Sequence, residues 1–559
     1  MKLLRLPAHI ARIAVAHIAR CLQVRCKAGG MRVVVLGMAI MVLTGSFLPG
    51  EARAQQTDPA ASDTTRSRAY VEADSLSAQI IDDERVQELI GDVFVKQDST
   101  ELRSEKAFRY LDRDEFLFLR AVEIVEGPDT LRADTVRYER RNDLGFAFGN
   151  VELTDGDVEV RSSEAIYFFD ERRAVFEQAV ELEDSTAVLR SERGTYLSPE
   201  RRADFAGNVT LDDPASWLEA DSLSYYRDRR RSEAFGHVFI DRDPGAAATD
   251  PEGAPVDDDE EDTRTWLFGD TAINDEDERR SDVRGNALMV QVRADSLGAP
   301  SDTVIVDADR LLAQRSDTLN RLTAIEDVRV WQREIAADAD SLVYDRTVRP
   351  DTSTAPPFEE SRLFGDPNAW FENAQVHGDT LRTVVRNRTI DSLYVFSNAF
   401  AAEEDTVLQR IQQLRGRNMT AAFREGDLRT IRAFPNAETI RFIEEDGRLA
   451  RGAEASGDEI VIEFDDQQTL KRVRVLSGIQ GMLYEPHLIP DPFQLEGFRW
   501  TPDARPLKPV LLSDERFRAR VEQGWSFDVP RTQIVRRPPD DSRPRQGADG
   551  TMRRSAALD

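Results

Sequence analysis

Residues able to do chemistry are abundant in this chain, but they are not gathered into a reactive constellation. There are 103 Asp and Glu residues in 559. Paired carboxylates could serve sugar hydrolysis. Here they alternate with Arg along extended segments, and no pair stands apart. Beyond residue 54 the histidines are the separated His237, His377 and His487, so no imidazole lies near a second in sequence to form a base or a metal ligand pair. The run Asp257-Asp-Asp-Glu-Glu-Asp262 lacks the Gly and the alternating ligand spacing that wrap a loop around calcium. Both cysteines, Cys21 and Cys26, precede an apolar run, which leaves no thiolate, disulfide or Cys-metal site after it. The reading is therefore of a protein with no cofactor, no metal and no catalytic residues.

Charge narrows the partners further. The formal net charge is −29. Residues 1–54 are basic, so the remainder is more acidic still, and nucleic acid is not an expected partner. Lys is confined to six positions, and the other cations are Arg interleaved with acids, the pattern of solvated strand faces.

The elements that carry these charges are repeats. One pattern reads Leu131-Arg-Ala-Asp-Thr-Val-Arg-Tyr138, Leu218-Glu-Ala-Asp-Ser-Leu-Ser-Tyr225 and Ala337-Asp-Ala-Asp-Ser-Leu-Val-Tyr344. A second reads Gly149-Asn-Val-Glu-Leu153, Gly207-Asn-Val-Thr-Leu211 and Gly236-His-Val-Phe-Ile240, where His237 stands in for Asn. The pair returns every thirty residues or so, which means one supersecondary unit stacked many times. Alternation of apolar and charged residues makes the units antiparallel strands with one dry face. Within the first pattern the apolar parity changes at the Asp-Ser or Asp-Thr step, so a bulge must bend the strand there. The glycines of the second pattern suit a further bend.

The segment Met31–Ala54 has the features of a secretory signal: Arg32, the apolar run Val33–Leu43 and an Ala52-Arg-Ala54 cleavage site. The expected organisation is a signal over 1–54 with a start at Met31 and a flexible leader over 55–68. Repeats follow over 69–240, an acidic loop over 241–264, and repeats over 265–484 with a loop at 345–360. A Pro-rich cap over 485–529 and a disordered tail over 530–559 complete the chain. The fold class is all-β, an elongated, folded-over antiparallel jellyroll of stacked V-shaped units with an apolar trough. Candidate trough residues are Val151, Leu153, Val158, Val160, Ile166, Phe168, Val180, Leu182, Val209, Leu211, Leu223, Tyr225, Val238 and Ile240. Tyr70–Ser77, with Val71 and Ala73 and no Pro or Lys, is expected to be an edge open to partners, including head-to-tail copies of the chain.

These motifs, together with Leu414-Arg-Gly-Arg-Asn-Met-Thr-Ala-Ala-Phe-Arg-Glu-Gly-Asp-Leu428 and Ala433-Phe-Pro-Asn-Ala437, resemble those of the OstA-like proteins of lipopolysaccharide transport. Pro435 stands where that family usually has Gly. The resemblance implies a periplasmic bridge component that shields the acyl chains of lipopolysaccharide or a related glycolipid. The implied partners are an inner-membrane export complex and an outer-membrane translocon. A lipid-free β-repeat scaffold of the cell envelope is the alternative.

Overall fold

The computed structural model describes residues 69–97, 99–214, 216–242, 263–294, 300–347, 358–386 and 389–522. The expected signal, the leader, the Asp257–Asp262 run and the tail from 530 lie outside them. Strands extend to Arg242 and resume at Thr263, and they end at Thr347 and resume at Phe358, so both insertions are shorter than the sequence suggested. The described residues form an all-β antiparallel sheet of 32 strand segments in which each long strand bends at a corner into two arms.

The pairing of Asp129–Glu139 with Leu144–Thr154 shows how the sequence makes that corner. Leu131 opposes Leu153 and Val136 opposes Ala147, all buried, while Arg132 opposes Glu152 on the outer face. Between Arg132 and Thr135 the register slips. There Gly149 (φ 75°) and Asn150 (φ 45°) enter the left-handed region together and turn the chain. The carboxylate of Asp134 fills the space above the glycine: a Cβ at Gly149 would lie 2.4 Å from Asp134 Oδ2. Asn150 Nδ2 donates to the same oxygen at 2.9 Å. Asn208 donates to Glu192 at 2.6 Å, and Asn286 to Asp270 at 3.0 Å, in later copies of the corner. His237 Nδ1 lies 2.8 Å from Asp221. The two sequence patterns are thus the two sides of one corner, and the glycine bend is not a further one.

The corners keep strict time. Gly91, Arg120, Gly149, Gln178, Gly207 and Gly236 fall at a constant interval of 29 residues. All but Gln178 have positive φ. At Gln178 the strand splits into Arg173–Phe176 and Val180–Glu183.

The arm holding Leu131 and Leu153 is arm I; the arm holding Val136 and Ala147 is arm II. Their inner faces meet in one apolar cluster running from Leu89 to Ile462. Past Tyr484 the chain does not cap the last strand. Residues 486–522 run back as a strap over the outer face of arm I, as far as an ion pair between Arg520 and Glu219.

Candidate functional site

The candidate site is the apolar interior between the arms, together with the mouth where the arm tips meet. Nine of the expected trough residues, Val151, Leu153, Val158, Val160, Val180, Leu182, Val209, Leu223 and Val238, belong to the interior cluster. Leu211, Tyr225 and Ile240 are half-buried and pack against it. Ile166 and Phe168 do not point inward. Their neighbours Ala165 and Tyr167 are the buried pair, and Phe168 lies on the outer side beneath the Arg173 guanidinium, 3.7 Å from its ring centre. Ala165–Phe169 is apolar throughout, so apolarity alone did not reveal which parity faces in.

The interior is filled. Leu102, Phe116, Phe118, Val136 and Ile460 are completely shielded from solvent. Side chains from the two arms therefore occupy the space that acyl chains would need, and a guest has to part them. A surface groove of about 620 Å³ lies at the interrupted corner near Ala179. Glu152, Arg161, Ser162, Glu181 and Arg190 line it together with Ala179 and the interior residues Val151 and Val180.

Hydrogen-bonded clasps join the arm tips across the mouth, and the sequence reading missed them. On arm II, Tyr167 donates to Asp129 Oδ2 of arm I at 3.4 Å. Arg172 donates to the same oxygen at 2.9 and 3.0 Å, and Ser198 Oγ donates to Asp129 Oδ1 at 2.6 Å. One unit on, Tyr196 donates to Asp155 Oδ2 at 2.6 Å and Arg227 at 2.7 Å. Arg201 pairs with Asp157 at 2.7 Å, and Tyr225 donates to Asp184 at 3.1 Å. Burial alone would raise the Asp155 carboxyl. The Tyr196 hydroxyl, the Asp157 and Val158 amides and Arg227 instead hold it at about 2. Burial and the bond to Asp155 push the Tyr196 hydroxyl up. A legible signal existed: the clasp residues Tyr167, Tyr196 and Tyr225 share the 29-residue interval, as do Arg172 and Arg201.

At the first end of the sheet, Tyr70–Glu72 and Ser75–Ile81 pair only with Glu84–Gln97 among the described residues. Val71 and Ala73 lie on this edge with their side chains against the interior cluster, while Leu76 and Ile80 are exposed. The last strand, Leu470–Leu476 continued by Gln480–Tyr484, is likewise paired on one side, with Met482 and Leu483 exposed.

Residues 67–221 match the family model described as OstA-like protein. No curated protein matches the chain. The corner geometry seen in the matched segment recurs as far as Ser477 and Gly478 (φ 58° and 62°). No helix among the described residues is long and apolar enough to cross a membrane.

Proposed function

We propose that this chain, whose residues 67–221 are OstA-like, is a periplasmic bridge component that carries lipopolysaccharide or a related glycolipid from the inner to the outer membrane. The observation that carries this reading is the unbroken apolar interior between two arms that are continuous at their corners and held at their tips by side-chain clasps alone. Moving acyl chains through water costs about 0.8 kcal/mol per CH₂, and an apolar channel between hinged arms removes that barrier. The edge strands at both ends offer unpaired backbone groups for an inner-membrane export complex, an outer-membrane translocon or a further copy of the chain. The interior being filled favours a second reading, a lipid-free envelope scaffold.

Photocrosslinking separates the two. A photoreactive side chain at Leu182, which faces the interior, is expected to capture lipopolysaccharide, whereas one at the neighbouring Glu181, on the outer face, is not. Equal capture at both positions, or none at either, favours the scaffold.

A further inference from the structure

We infer that the arginines on the arm II rim, Arg172, Arg201 and Arg227, form a latent site for an anionic phosphate-type headgroup, which the arm I carboxylates Asp129, Asp155 and Asp157 occupy while the mouth is shut. The inference rests on the lipid-carrying reading and names the headgroup that reading leaves open. A lipid with its chains between the arms must place its headgroup at the mouth, because the opposite side is closed by the corners.

The first support is the conformation of the turns. Arg172 (φ 48°), Arg201 (φ 46°), Arg230 (φ 43°) and Arg279 (φ 47°) all sit in the left-handed region at arm II tips. Gly or Asn fits such a position with less strain. Asp114 and Asp143 hold this position in the two preceding copies, and Arg230 and Arg279 pair with Glu276 and Asp317; Arg172 and Arg201 are the two that reach across the mouth to arm I, a use for the side chain beyond the turn. Second, opposite charges meet across the mouth, with Arg201 also paired at 2.8 Å to Asp228 of its own rim. Arg172 meets Asp129, Arg227 meets Asp155 and Asp157, and Arg201 meets Asp157. Guanidinium binds carboxylate and phosphate through the same forked donors, so one can replace the other.

Exchange then decides which lipid opens the mouth. Parting the arms takes the carboxylates away from Arg172 and Arg227, whose partners Asp129 and Asp155 are only 3% and 8% exposed. An anionic headgroup restores a partner to each arginine. An uncharged one leaves them unpaired beside an apolar interior, which is costly. Arg201 and Arg227 meet on the same Asp157 oxygen, at 2.7 and 3.3 Å, so a single anionic group can meet both.

The experiment uses the full chain with dodecyl phosphate and dodecyl glucoside as probes, each below its micelle concentration, and reads the ratio of their affinities by equilibrium dialysis. Asp129→Asn with Asp155→Asn frees the arginines and is expected to raise the phosphate-to-glucoside ratio roughly tenfold. Arg172→Met with Arg227→Met loosens the same clasps but is expected to lower the ratio by a similar factor. Arg201→Met alters a more exposed pair and is expected to lower it about threefold even if the double variants fail to fold. A ratio unchanged in Arg201→Met and in whichever double variants fold overturns the headgroup site while leaving the lipid reading intact. Binding of neither probe to any variant overturns both.

Discussion

Arm I wears two different outer faces along the same sheet. Between Lys96 and Arg190 its outer side is a ladder of exposed charges: Lys96 and Arg103 on Glu101, Arg103 and Arg132 on Glu123, Arg132 on Glu152, and Arg190 on Glu181. From Phe239 onward the same side is apolar and covered. Val238 faces the interior while its neighbour Phe239 packs outward beneath the strap; Met289 and Val306 face inward while Leu288, Val290 and Ile305 face out. Leu511 and Phe517 of the strap close over these residues, and Leu495 closes over Phe400, Ile440 and Phe442. Buried amides pin it down: Gln375 pairs both ways with Thr501, and Gln413 accepts from the Leu495 amide and donates to the Phe493 carbonyl. The lesson is that one bent-strand geometry supports either a solvated wall or a three-layered one, and that the outward parity alone decides which.

Removing the cover should break this comparison most strongly. Phe517→Ala deletes a buried aromatic at the strap's end and is expected to cost about 3 kcal/mol, with hydrogen-exchange protection falling in the strands around Trp266 and Leu288 but not in those around Leu131 and Leu153. Equal loss in both regions would show that the strap supports the whole sheet.

Acid should separate the regions next. His377 is buried beneath the strap, stacked on Phe400 with ring centres 5.2 Å apart. Burial pushes its pKa down, the nearby Arg499 lowers it further and Asp366 opposes them, leaving it at about 4. Between pH 6.5 and 4 the unfolded chain therefore binds a proton at this residue that the folded chain does not, and stability under the strap declines as pH falls through that window. Asp155 behaves differently. Its contribution to the clasps is complete above the ordinary carboxylate pKa near 3.8 and is lost only as pH falls toward about 2. A melt followed from pH 7 to pH 4.5 is expected to lower the strap region first, and His377→Gln to flatten that response. An unchanged slope in the variant would remove His377 as the cause.

The smallest effect belongs to the charged wall. Arg132→Ala removes the link between Glu123 and Glu152 and is expected to cost less than about 1 kcal/mol in urea unfolding, shrinking further with salt. A larger cost would mean that the ladder acts as a connected network.

The fold was readable because alternation and repeat length are local properties. Leu131, Ala133 and Val136 announce a bent strand without any knowledge of their partners. That Asp134 covers Gly149 was not readable, since it depends on register between strands, and two half-patterns consequently read as two bends. Ile166 and Phe168 were placed inward because their segment is apolar on both parities; aligning Tyr167 with Tyr138 and Tyr196 at the fixed interval would have corrected them. The strap carries no repeat of its own. Its trace was in the strands it covers, where runs such as Ala287-Leu-Met-Val290 are apolar on both faces and so demand cover on both. The clasps escaped because acids and arginines at turns are the usual dress of solvent loops.

Between Gly91 and Gly236 the constant 29-residue interval bears on how this part of the sheet can change in length. Each interval is a pair of strands and adds roughly 9.5 Å along the stacking direction. Because successive corners and tip turns repeat in phase, a duplicated interval would meet its neighbours through surfaces they already present. The stretch from Gly91 to Gly236 is thus a ruler graduated in whole strand pairs, which can be lengthened or shortened by tandem copying while the joints between graduations stay as they are.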